Sequence, residues 1–187
     1  MNTADLKALD YPPLTEDLEE AKTHLDKYGM ALIANVLNED EIEEMDKRLN
    51  EQFLGEEKHK VGSKVRGDEG LGIESSEEEK VSRLVWNLIN KGDCFLKLID
   101  HPKILPLIQH LIGKKVCLCS MGAHMNGSGN EKMALHQDQW PLVPHPMEFP
   151  FMANVMYLIS DNSPENGGTR LIPGSHKWPL IDYKTAN

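Results

Sequence analysis

The sequence predicts an α+β domain, mainly helical over residues 1–114 and turning to strands of an antiparallel sheet or barrel over 115–187. Three observations carry this. Apolar residues recur at three- and four-residue spacing before Lys115 and as short strand-length runs after it. Capping residues stand ahead of the periodic segments, as Asn38 and Glu41 do ahead of Ile42 and Met45. Turn formers, GSGN, a proline-rich stretch and SPENGG, separate the later runs. With 187 residues and 40% hydrophobic content, the chain suits a single domain, 1–187, with a core of ordinary size.

The elements follow in order. TEDLEEAKTHLDKYG, from Thr15, puts Leu18, Ala21, Leu25 and Tyr28 on one side of a helix, with acids in its first turn and Gly29 placed to end it. MALIANVL is an apolar run of strand length. In NEDEIEEMDKRLNEQF, Asn38 caps a second helix, Glu41 answers from its third position, and Ile42, Met45 and Leu49 form the buried stripe. Residues 55–76 are rich in glycine and charge and read as a long mobile loop, either a plain insert or a substrate lid. Ser76 and Glu79 then make another capping box, and Val81, Leu84, Val85, Leu88 and Ile89 keep helical spacing up to Gly92. HPKILPLIQHLIG gives one more helix, with Pro102 in its first turn and Gly113 at its end. His101 and His110 beside it read as solvated or hydrogen-bonded side chains.

Beyond Lys115 the runs VCLCSMGAHM, KMALHQDQW, FMANVMYLIS and TRLIPGSH read as strands. Cys117 and Cys119 share one face of the first; without a second cysteine pair to complete a zinc site, they are expected to be small buried residues. SPENGG and Pro173-Gly174 supply the backbone angles of tight turns. Trp140 and Trp178 are core aromatics or lie at a substrate mouth, and WPLVPHPMEFP is an irregular loop placed to touch substrate.

Composition narrows the function classes. Asp and Glu outnumber Lys and Arg by 30 to 20, a net charge of -10, which argues against nucleic acid or an anionic membrane as partner. The N-terminus lacks the basic start and apolar centre of a signal peptide, and no apolar run approaches membrane-spanning length. Three cysteines are too few for a disulfide framework. The expectation is a cytoplasmic protein.

The chemistry concentrates in LHQD. Side chains at i and i+2 project from the same face of a strand, so His136 and Asp138 would converge on one point. An imidazole and a carboxylate suit iron(II), and two histidines with one carboxylate on a triangular face leave positions open for a co-substrate and oxygen. His-x-Asp supplies two of those three ligands.

Together with LHQD, the stretches YGMALIANVLNEDEIEEM and PENGGTRLIPGSHKW resemble the phytanoyl-CoA dioxygenase family of iron(II)- and 2-oxoglutarate-dependent oxygenases, in the family's order and over most of the chain. The resemblance implies a double-stranded β-helix, a jelly-roll, cupin-like barrel supported by the N-terminal helices, with residues 115–187 as its first strands. It also implies a reaction in which 2-oxoglutarate and O2 hydroxylate a small organic substrate, with release of succinate and carbon dioxide. By motif position His136 and Asp138 match the first two iron ligands, and Met121, Gln137, Asn154 and Thr169 are the candidates for contact with 2-oxoglutarate. Related halogenases replace the carboxylate by a small residue, so the presence of Asp138 points to hydroxylation.

In the family a distal histidine and a following cation complete the site, whereas only His145 and His176 follow Asp138 here. His176 matches the structural histidine of the PGSH turn, and Arg170 reads as a surface or turn residue. The chain is therefore expected to be a partial member, its barrel incomplete and its open edge a route to oligomers. The alternatives are a non-catalytic binding or regulatory half-barrel and a cupin-like metalloprotein that uses no 2-oxoglutarate.

Overall fold

The computed structural model describes residues 10–66, 81–126, 136, 138, 149–163 and 165–178. The first unit is small: β1 (Leu14–Thr15) pairs in parallel with β2 (Leu32–Ile33) across α1 (Leu18–Tyr28). Asp17 caps α1, its carboxylate accepting from the backbone N–H of Glu19 and Glu20 at 2.8 and 3.1 Å. The helix stops at Gly29, whose φ of 74° is left-handed. Of the stripe expected on α1, Ala21 is buried, and His24 joins it there.

The helix α2 (Glu39–His59) opens with the expected capping box: Asn38 accepts from Glu41 N–H, and Glu41 accepts from Asn38 N–H, both at 2.9 Å. Met45, Leu49 and Phe53 then line its buried face. It runs to His59, and β3 (Ser63–Arg66) follows, so both ends of this stretch enter the region expected to be a loop. Residues 67–80, including the Ser76–Glu79 capping box, lie outside the described residues.

The largest correction concerns 81–92. Val81–Trp86 is a strand, β4, where the spacing suggested a helix. It is the middle strand of a three-stranded antiparallel sheet ordered β3-β4-β5, with Leu84 opposite Ser63 on one side and His124 on the other. Leu84 and Val85 are 3% and 0% exposed, so adjacent residues are buried on opposite faces. A short apolar run buried on both faces has no period of its own, and the valines and tryptophan favour the pleated backbone. Gly92 does not end a helix; it precedes α3 (Asp93–Leu96).

Residues of α2, β4, α3 and the turns that follow β4 and α3 form one core of Met45, Leu49, Phe53, Val85, Leu88, Cys94, Phe95 and Leu98. Complete burial of such side chains contributes about 1.5–3 kcal/mol each. The last helix, α4 (Leu105–Ile112), begins later than expected: Pro106, not Pro102, occupies its first turn. It buries Leu107 and carries His110, whose Nε2 lies 2.8 Å from Asp26 Oδ1 on α1.

Only Gly122–Met125 of the first expected barrel strand is paired, as β5. The ladder with β4 ends at Trp86 opposite Gly122, so among the described residues no strand lies beside the preceding ones, and Cys117 and Cys119 are exposed, contrary to the expected burial. Residues 149–163 and 165–178 likewise carry no ladder pairing. Tyr157 and Ile159 still pack on the core, and Tyr157 Oη donates to Leu98 O at 2.8 Å. Met156 and Leu158 are 56% and 54% exposed. Among the described residues the sheets have two and three strands, and no barrel closes.

Two turns behave as their composition requires. In SPENGG, Asn166 Oδ1 accepts from Ser163 N–H and Gly168 N–H donates to Ser163 O, both at 2.8 Å. In PGSH, Gly174 takes a φ of 80°, and its N–H donates to Tyr28 O at 2.7 Å, docking the turn on the end of α1.

Candidate functional site

His136 and Asp138 are brought together, although not on a strand. His136 lies in irregular backbone and Asp138 in a turn. The side chains nevertheless meet, with His136 Nε2 3.3 Å from Asp138 Oδ1. Both side chains keep about half of their surface in solvent, at 44% and 55%. A bound ion would therefore have an open path from water.

The separation and the donor types can be tested against a metal. Two adjacent ligands on an octahedral ion, each with a bond of about 2.1 Å, sit about 3 Å apart. The 3.3 Å between Nε2 and Oδ1 is close to that, and one imidazole with one carboxylate is a donor pair that iron(II) accepts. The pair thus fits two positions of a mononuclear centre. Among the described residues no group of three His, Cys, Asp or Glu side chains could hold an ion.

The other carboxylate oxygen is also engaged: Asn154 Nδ2 donates to Asp138 Oδ2 at 2.7 Å. Asn154 comes from residues 149–163, three positions before the anchored Tyr157. Burial pushes the Tyr157 hydroxyl up to about 12. His136, Asp138 and Asn154 thus form a connected set, the candidate site among the described residues.

The remaining candidates are dispersed. Met121 is half-buried against the core, and its carbonyl accepts from Leu88 N–H at 3.0 Å, a packing position. Thr169 is exposed beyond the SPENGG turn, and Gln137, His145 and Trp140 lie outside the described residues. Arg170 is exposed, as a surface residue should be. His176 is held elsewhere: its Nε2 is 3.3 Å from Asp26 O, and a Cβ at Gly29 would collide with its ring. Sequence reasoning found no partner for Asp138 other than His136, and no local pattern links positions 138 and 154. His124 was also passed over; on β5, desolvation lowers its imidazole pKa below the ordinary value although the residue keeps solvent contact.

A cavity of about 250 Å³ opens between α2 and β4, lined by Phe53, Glu56, Glu57, Lys60, Arg83 and Leu84 among others. None of the described candidate residues borders it.

A His-x-Asp pair fit for a mononuclear metal, on a chain of supporting helices and antiparallel strands, defines the class in which relatives should be sought. The phytanoyl-CoA dioxygenase (PhyH) family matches over residues 25–186. The chain belongs to that family. It is 30% identical to a protein named dioxygenase af480 from Aspergillus fumigatus, over 88% of this chain and 51% of that one. It is 27% identical to a probable alpha-ketoglutarate-dependent hypophosphite dioxygenase from Stutzerimonas stutzeri, over 59% of this chain and 37% of that one. A third relative, dioxygenase sphC from A. fumigatus, is 24% identical over 87% and 46%. The chain spans about half the length, or less, of these relatives. No solved structure matches. Among the described residues no helix is long and apolar enough to cross a membrane.

Proposed function

We propose that the chain is one oxygenase domain, the helical support and first strands of a jelly-roll barrel, and that it hydroxylates a small organic substrate with iron(II), 2-oxoglutarate and O2, His136 and Asp138 supplying two of the three iron ligands and the described residues no third. The observation that carries this reading is the His136–Asp138 pair, 3.3 Å apart in a chain matched to the PhyH family over 25–186. One relative's name includes alpha-ketoglutarate dependence, which supports the co-substrate.

In this reading His136 and Asp138 hold the iron. When bound, the iron supplies the activation of O2 that couples 2-oxoglutarate decarboxylation to attack on a C–H bond. The chain's own residues bind and position. Asp138 offsets part of the metal charge, and its occupancy of a coordination position favours hydroxylation over halide transfer. Exposed Met156 and Leu158, two and four residues after Asn154, offer apolar surface to an organic substrate. Thr169 and Gln137 remain assigned to 2-oxoglutarate contact by motif position.

The test is succinate formation from 2-oxoglutarate under air with added ferrous ion. The proposed function predicts turnover that H136A and D138A each lower by at least about a hundredfold, as expected when an iron ligand is lost. Turnover that survives both substitutions contradicts it. A non-catalytic half-barrel would give no succinate at all.

A further inference from the structure

We infer that Asn154 is a positioning residue for Asp138, fixing which carboxylate oxygen faces the metal; this rests on the proposed iron site. The starting point is the 2.7 Å contact from Asn154 Nδ2 to Asp138 Oδ2. An ionised carboxylate only accepts hydrogen bonds, so the amide must present its NH2 group to Asp138 and turn its carbonyl away. Oδ2 is thereby occupied, and Oδ1 is the oxygen left beside His136 Nε2, at 3.3 Å.

The anchoring of the two partners gives this contact its consequence. Asp138 sits in a turn with half its side chain in solvent, where a carboxylate otherwise rotates freely about χ2. Asn154 belongs to a segment tied to the core three and five residues later, through Tyr157 Oη on Leu98 O at 2.8 Å and through Ile159. The amide therefore carries the rigidity of the core to the exposed acid. With one oxygen held, Asp138 presents a single donor atom to an ion rather than chelating it through both, and a coordination position stays open. Asn154 thereby acts through Asp138, a different role from the 2-oxoglutarate contact suggested by motif position.

Cobalt(II) titration of the full chain, followed by calorimetry and by the visible absorption of the bound ion, tests this without turnover. The variant is N154L, which keeps roughly the shape of the side chain and removes the donor; N154A serves as a second, smaller replacement. The expected result is cobalt affinity weakened about ten- to a hundredfold in both, with an altered cobalt spectrum and an unchanged melting temperature. Unchanged affinity and spectrum in both variants overturn the role of Asn154 and leave the iron site standing. Failure of the unsubstituted chain to bind cobalt overturns the site itself.

Discussion

Asp138 lies between an imidazole at 3.3 Å and an amide donor at 2.7 Å, and the two neighbours came to light in different ways. His136 is legible because an i, i+2 pair is a local pattern, and here the two side chains meet although Asp138 lies in a turn. Asn154 was placed near the site by motif position, but its bond to Asp138 joins residues 16 apart in sequence, and no periodicity encodes that. Tyr157, three residues on, offers a test at the same scale. Folded, it holds its proton up to about 12, against an ordinary value of 10.0, because burial disfavours the phenolate. The stability this contributes is complete below pH 10 and is lost as the pH rises from 10 toward 12, where the unfolded chain has already released its proton. Urea denaturation across that range should show a decline, up to about 1.4 kcal/mol per pH unit, that is smaller in Y157F. Equal declines in the two proteins would show that another group is responsible.

At the scale of elements, signals carried by neighbouring residues were read correctly and those set by distant partners were not. The Asn38–Glu41 box and the Gly29 stop are local chemistry, and both stand where the pattern put them. β4 was misread because its character comes from β3 and β5 on either side, and Cys117 and Cys119 are exposed because the ladder runs out at Gly122. The docking of PGSH on α1 is a tertiary feature of the same sort. Gly29 is constrained twice, by its left-handed φ of 74° and by the His176 ring over its α-carbon. G29A should therefore destabilise by more than the approximately 1 kcal/mol of left-handed strain. In an H176A background its cost should fall back toward that value, a coupling of about 1 kcal/mol or more by double-mutant cycle. Additive effects would mean that the two residues do not constrain each other.

Over the whole molecule, the helical support and its core are described on both sides of residues 67–80, whereas the candidate metal pair sits in a part of the chain whose described segments form no closed barrel. The mixed helix-and-strand character was legible from periodicity; the helices-first order was not, because β3 and β4 stand ahead of α3 and α4 and owe their state to pairing between strands far apart in sequence. Family membership rests on residues 25–186, and the chemistry rests on two side chains within them. Their joint claim is that the folded chain takes up ferrous ion at His136 and Asp138. Anaerobic equilibrium dialysis of the intact protein against ferrous ion measures this directly, with the H136A/D138A double variant alongside. One ion per chain at saturation, lost in the double variant while its melting temperature is kept, is the predicted result; no uptake, or uptake that the double variant retains, would contradict it.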